Sequence, residues 1–369
     1  MDIKRFPKKR LKKPALAVPK RPLGAVKLPG NKPADERPVG EGAVPHITNE
    51  SIAEHREEVL GSARKYIYPL RHSRHRVVKI SISLLVAAII LFFVGCVVAL
   101  YKMQNTSTFM YSVTKIVPFP VARAGSSYVS YNSYLFELRH YMHYYQSQQG
   151  VNFGSSDGKR QLASFKKQSL DQAVTQAYVK QLAAEHHLGV SNQEVNQQVA
   201  MVRAQNRLGS SDEVFRNVLN EFWGWSVADF KRELKNELLE QKVIAKLDTA
   251  TNKRANQTLS QLQGGADFAT LAAQASDDAA TKGNGGEYGF AIDRSSRDIA
   301  PQAVDALYKL QAGQFSGIIN SGYYLEIDKL LEVNGDKLRA AHITFNYDDI
   351  NTYLTSVEKQ HPTRYYLHL

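Results

Sequence analysis

Cysteine is almost missing from this chain. The single one, Cys96, lies inside a long apolar run, so the rest of the sequence has no disulfide and no thiolate site to offer. Cys96 itself reads as a small apolar filler. Metal-ligand spacings are missing as well: there is no His-x-His and no Cys-x-x-Cys. The adjacent pair His186-His187 would point about 100° apart on a helix, which suits a solvated surface pair better than a ligand set. No metal and no cofactor is expected. Acidic residues are scarce in one region only. Residues 1 to 79 hold 19 of the 47 Lys+Arg but 8 of the 35 Asp+Glu, a net of +11, which leaves +1 for all the rest. The basic character of the chain therefore belongs to its amino-terminal segment.

Long hydrophobic runs are also few, and the one present is decisive. Ile80 to Tyr101 contains 22 residues without a charge, enough at ~1.5 Å per residue to cross a ~30 Å hydrocarbon core. Arg64, Lys65, Arg71, Arg74, Arg76 and Lys79 precede it, whereas only Lys102 follows directly. That asymmetry predicts a single-pass cell-membrane protein with a cytoplasmic amino terminus and extracytoplasmic carboxy-terminal domains. The run starts late and lacks a small-x-small exit, so it reads as an uncleaved anchor.

Composition divides the chain further. Eight prolines among lysines and small residues, from Pro7 to Pro45, predict a disordered basic tail, taken as residues 1–78. Its basic clusters would meet anionic lipid or, as the weaker option, nucleic acid; a plain topogenic tail is the bland alternative. The span is placed at 79–102 and a linker at 103–125. Residues 126–250 read as a helical domain. Ser127 to Tyr131 reads as a short strand, followed by a helix with Tyr134, Leu135, Leu138 and Tyr141, and 146–160 as a loop. Leu170, Val174, Ala177, Tyr178 and Leu182 share a helical face that Gly189 should end. Ser191-x-x-Glu194, Ser210-x-x-Glu213 and Ser226-x-x-Asp229 each look like a helix start. Phe222, Trp223, Trp225 and Phe230 would serve as core or as part of a groove for unfolded apolar segments.

From residue 251 to 369 the signals change. Gly264-Gly265-Ala266-Asp267-Phe268-Ala269-Thr270-Leu271-Ala272 is followed by Ser276-Asp277-Asp278, then Gly285-Gly286-Glu287-Tyr288-Gly289, then Leu310-Gln311-Ala312-Gly313-Gln314-Phe315-Ser316. In that order and spacing these elements resemble the parvulin family of peptidyl-prolyl cis-trans isomerases. The helical pattern before them, with His187-Leu188-Gly189-Val190-Ser191-Asn192-Gln193-Glu194-Val195, is similar to the amino-terminal chaperone domain of SurA- and PrsA-type foldases. The implied fold class is α+β: an all-α domain, then an antiparallel sheet with helices.

The resemblance implies a prolyl pocket. Asp278 matches the family's Cys/Asp position, Ile299 its Met/Leu and Ala303 its Phe, while Tyr324 stands where the last strand usually has His. Phe290 and Phe315 are further candidate wall residues. A parvulin opens with a central strand around a His, yet residues 243–263 run from helix to helix. The matching string, Leu338-Arg339-Ala340-Ala341-His342-Ile343-Thr344-Phe345, comes after the last strand, behind an Asn334-Gly335 hairpin signal. A circular permutation is therefore expected, with His342 as the central histidine and residues 339–345 paired to 323–330. A truncated second repeat or a plain edge strand is the alternative. Asp278, Tyr324 and His342 would act on the prolyl amide of newly exported, unfolded chains. Loss of the Phe and of one His leaves open a non-catalytic holding chaperone, and a structural tether is a third reading.

Overall fold

A computed structural model describes residues 48–67, 70–205 and 211–369. Residues 1–82 form one unit and 83–369 another. The proline-rich tail and its basic clusters up to residue 47 lie outside the described residues. Residues 49–67, expected to belong to a disordered tail, are instead helix α1 (Asn49–Ile67). The Thr48 hydroxyl accepts the Ser51 amide at its start, and Ala, Glu, Leu and Arg dominate its length.

Helix α2 (Leu70–Val97) continues into a π-helical turn, Val98–Lys102. Across the two, Arg76–Lys102 is long and apolar enough to cross a membrane, its most apolar 18-residue stretch having a mean hydropathy of 3.0. Its far end is not followed by the expected free linker. Cys96 and Leu100 are buried in the core of the folded domain, and the Tyr131 hydroxyl donates to the Leu100 carbonyl at 2.6 Å. Residues 103–125 then form α3 (Thr108–Ile116), capped by Ser107, and β1 (Pro120–Ala124). Met110, Tyr111 and Val113 pack on the same core, which explains why the segment is ordered.

Around β1 and β2 (Ser127–Ser130) wrap α4 (Tyr131–Gln149) and α5 (Ser156–Glu185). The loop between them is shorter than expected because α4 runs on to a left-handed Gly150. Leu170, Val174, Tyr178 and Leu182 are buried as their spacing predicts. The left-handed residue past α5 is His187, φ 55°, and not Gly189. Helices α6 (Asn192–Gln205), α7 (Asp212–Trp223) and α8 (Val227–Leu247) enclose a second core of Val190, Val195, Val199, Phe215, Leu219 and Leu234. Ser191 with Glu194 and Ser226 with Asp229 bond each other's amides reciprocally, as predicted. Ser210 lies outside the described residues, and Ser211 caps α7. Trp223, Trp225 and Phe230 pack on this second core, whereas Phe222 is exposed.

Next come α9 (Thr249–Gln263), α10 (Phe268–Ala275), α11 (Pro301–Leu307), β3 (Ile319–Asn320), β4 (Tyr324–Asn334) and β5 (Lys337–Asn346). β4 and β5 form an antiparallel hairpin turning on Gly335-Asp336, with Asn334 opposite Lys337. Strand alternation sorts their side chains. Leu325, Ile327, Ala341, Ile343 and Phe345 meet α9 and α10, while Leu330, Leu338 and Ala340 meet α11. Each fully buried aliphatic or aromatic side chain here is worth ~1.5–3 kcal/mol, so the hairpin is held from both faces.

Residues 325–329 pair with 341–345, the pairing required of a permuted chain. Nor is β5 an edge: Glu287 and Ile292 bridge its other side at Ala341 and Leu338, while Phe315 bridges β4 at Lys329. β5 thus has backbone partners on both sides, although β3, β4 and β5 are the strands of the regular sheet. One boundary differs from expectation. Residues 350–369 leave the sheet: α12 (Ile350–Gln360), capped by Asp349, and β6 (Arg364–Tyr365) return to the first core. There β6 pairs with β1, and Ile350, Leu354 and Leu367 find the apolar partners that the sheet, covered on both faces, no longer offers.

Candidate functional site

The segment after α10 is tied to β5 before any pocket residue is placed. Thr344 donates its amide to the Ser276 hydroxyl at 3.1 Å, the Asp277 amide donates to the Thr344 carbonyl at 2.8 Å, and Asn346 donates to Asp277 Oδ2 at 2.9 Å. Arg254 from α9 holds both oxygens of Asp277, at 3.2 and 2.7 Å. This clamp presents the next residue, Asp278, to His342. Asp278 Oδ2 lies 2.9 Å from His342 Nε2, and Thr281 Oγ1 bonds both partners, 3.0 Å from that nitrogen. Gly286 makes the approach possible. At φ +82° its amide donates to the Thr281 carbonyl at 2.9 Å while its α-carbon lies against β5, where an added Cβ would lie 2.2 Å from the His342 carbonyl oxygen. Its own carbonyl accepts the His342 amide at 2.8 Å.

On the same sheet face, β4 contributes Tyr324, Glu326 and Asp328 at two-residue steps. The Tyr288 ring packs against the imidazole, 4.2 Å between centroids, and its hydroxyl donates to Asp328 Oδ1 at 3.0 Å and to Glu326 Oε2 at 3.4 Å. His342 Nδ1 stands 3.7 Å from Glu326 Oε2.

Electrostatics follow from these neighbours. Burial by itself would lower the His342 pKa, but hydrogen bonds to Glu326 and Asp278, and the charge of Asp328, raise it on balance. Burial opposes ionisation of Asp278, yet the bonds from Thr281, the Ala280 amide and His342 hold it below the usual carboxylate range. Asp328 is pushed well above that range, first by burial and then by Glu326. Burial and the charge of Glu326 lift Tyr324 to about 12, which keeps its hydroxyl a donor at neutral pH.

A cavity of about 270 Å³ opens over this cluster, lined among others by Asp278, Tyr288, Asp298, Ile299, Tyr324, Glu326 and His342. Four of the candidates named from sequence, Asp278, Ile299, Tyr324 and His342, thus meet at one cavity. Three others do not line it. Ala303 is fully buried where α11 packs on the sheet, Phe315 faces the α9–α10 side, and Phe290 is 41% exposed. Tyr288, Glu326, Asp328 and Thr281 were missed. The signal for two of them was legible: Glu326 and Asp328 alternate with the apolar Leu325 and Ile327 on one strand. With His342 they form a buried carboxylate-imidazole group.

Comparison with known proteins agrees with this architecture. Residues 70–244 match the SurA-like N-terminal domain, and residues 238–332 match the PPIC-type PPIASE domain. The second match ends before β5. The chain is 28% identical over 162 residues to Foldase protein PrsA 2 of Bacillus cereus, covering 39% of this chain and 54% of that protein. It is 35% identical over 98 residues to Chaperone SurA of Albidiferax ferrireducens, covering 26% and 21%. With Parvulin-like PPIase of Rickettsia bellii it shares 31% over 93 residues, covering 25% and 33%. The chain therefore spans from a fifth to just over half the length of these relatives. The chain thus carries a SurA-like amino-terminal domain followed by a PPIC-type PPIase domain, and the relatives it resembles are named as a foldase, a chaperone and a parvulin-like PPIase.

Proposed function

We propose that this chain is a membrane-anchored foldase that isomerises X–Pro bonds in newly exported polypeptides. The apolar helix would carry the anchor, the basic segment before it would stay with the anionic inner leaflet, and residues from 103 onward would lie outside. The observation that carries the catalytic reading is the Asp278–His342 hydrogen bond at the mouth of a cavity that also contains Ile299 and Tyr324.

The chemistry asks for little else. A prolyl amide must twist over a barrier of ~18–20 kcal/mol, and its nitrogen gains basic character once conjugation is lost. Groups that bind the twisted amide better than the planar one lower that barrier, with no covalent step. Ile299 supplies an apolar wall for the ring. Tyr324 is a neutral donor for the twisted amide, and the Asp278–His342–Thr281 set is a fixed polar surface whose dipoles need no rearrangement. Ala303, out of reach beneath α11, leaves the ring-binding slot shallower than the family pattern implies.

The test is isomerisation of X–Pro peptides by the full-length chain in detergent, followed by exchange-sensitive NMR. Acceleration is expected, with Asp278→Asn lowering it about 10²-fold at unchanged fold. A folded protein that accelerates no peptide would leave the chain a holding chaperone. For topology, Gln148→Cys, at an exposed site, should react with a membrane-impermeant maleimide on intact cells while buried Cys96 does not. Reaction only after lysis would reverse the assigned orientation.

A further inference from the structure

β4 carries Glu326 and Asp328 two residues apart on the face opposite its α9–α10 core, and β5 sets His342 directly across from Asp328. All three are buried, and one ligand atom from each lies within 4.8 Å of the others. The Glu326 side chain is 2% exposed and Asp328 is wholly inside. Carboxylates this deep are costly unless a positive charge accompanies them. Among the described residues the ion pairs give Glu326 only His342, and give Asp328 none. Every other oxygen in the group has a partner: Ser321 donates to Glu326 Oε1, and Tyr288 donates to Glu326 Oε2 and Asp328 Oδ1. Asp328 Oδ2 is the exception, buried without a hydrogen bond.

We infer that Glu326, Asp328 and His342 bind one divalent ion of the zinc class, through His342 Nδ1 and one oxygen of each carboxylate. The second observation that supports an ion, besides the orphaned Oδ2, is the far side of the imidazole. Nε2 bonds to Asp278 Oδ2 at 2.9 Å, while Nδ1 faces Glu326 Oε2 at 3.7 Å and the Thr344 hydroxyl at 3.3 Å, which an ion on Nδ1 would displace. A carboxylate on the remote nitrogen is the usual support of a metal-ligating histidine, because it keeps the proton there and turns the other lone pair toward the ion. One imidazole and two carboxylate oxygens suit zinc or manganese, whereas magnesium and calcium favour all-oxygen sites. Zinc ligands at ~2.0–2.2 Å from the metal stand roughly 3.3 Å apart, so side-chain shifts of about 1 Å close the group on the ion. The ion would tie β4 to β5 behind the prolyl cavity and fix which nitrogen of His342 the cavity sees.

The experiment uses the full-length chain in detergent, stripped with chelator and titrated separately with Zn²⁺ and Mg²⁺ by calorimetry, with melting followed by circular dichroism. One Zn²⁺ per chain is expected, with a raised melting temperature and no response to Mg²⁺. Asp328→Asn and Asp328→Leu should each lose that equivalent; the leucine variant fills the buried position with apolar volume and keeps the fold measurable. Asp278→Asn should retain the stoichiometry but bind 10- to 100-fold more weakly, roughly the range for a lost outer partner. Binding of Zn²⁺ by Asp328→Leu equal to the parent would overturn the site, and so would a parent that binds none. Loss of the ion only when His186 and His187 are replaced by glutamine would also overturn it. None of these readouts uses isomerase activity, so the metal site and the isomerase reading stand or fall separately.

Discussion

The helical and sheet domains both bury carboxyl groups, and they treat them differently. In the helical domain Glu137 accepts from the Gln176 amide at 3.0 Å, Asn236 in turn donates to Gln176, and Arg232 and Lys180 are near enough to favour its charge. These partners are side chains of packed helices, and no residue of the prolyl cavity is among them. In the sheet domain Glu326 and Asp328 face an imidazole, and Glu326 also lines a cavity. Equal burial thus produces a closed side-chain network in one place and a group beside a cavity in the other. The difference comes from what stands opposite: amides and cations on neighbouring helices, or a histidine with its own carboxylate partner.

The largest effect that would break the sheet side of this comparison is Gly286→Ala. It forces an L-residue to φ +82° and drives a Cβ into the His342 carbonyl, so a loss of about 3 kcal/mol or more is expected in chemical unfolding, confined to the sheet domain. The next tests the helical side. Burial, then the charge of Glu233, raises Glu137 from 4.5 to about 7. An acid raised in the folded state is protonated there after the unfolded chain has lost its proton, so its stabilising contribution is complete below about pH 4.5 and vanishes as pH rises to about 7. Glu137→Gln should flatten that fall, worth on the order of 3 kcal/mol, in unfolding curves across this window. Ser226→Ala removes one half of a reciprocal cap and should cost about 1 kcal/mol without touching the cavity. Phe290→Ala, at an exposed site, should change stability by less than about 0.5 kcal/mol and leave isomerisation unaltered. A large loss there would return Phe290 to the substrate path.

Much of the architecture was legible in the sequence because it rests on local chemistry. Reciprocal caps at Ser191 and Ser226, the Asn334-Gly335 hairpin and the uninterrupted apolar run each act over a few residues. The pairing of Asp278 with His342 was legible only through family resemblance, and its distance was not. What escaped was set by distant partners. The segment 103–125 carries Pro118 and Pro120 and looks like a linker, yet Met110, Tyr111 and Val113 dock on a core assembled from α4 and α5. Ala303 occupies the family's Phe position, but α11 packs it against the sheet instead of opening it to the cavity.

By itself the sequence determined the membrane-length helix, the succession of a helical domain and a parvulin-like sheet, and the hairpin that leads to His342, since period, capping and motif order are properties of neighbouring residues. Only the tertiary structure decided that β5 is flanked on both sides, that residues 350–369 close the first core, and that Glu326, Asp328 and His342 converge. Those outcomes depend on strands and helices far apart in the chain competing for the same buried surface. That competition is resolved only when the whole domain packs.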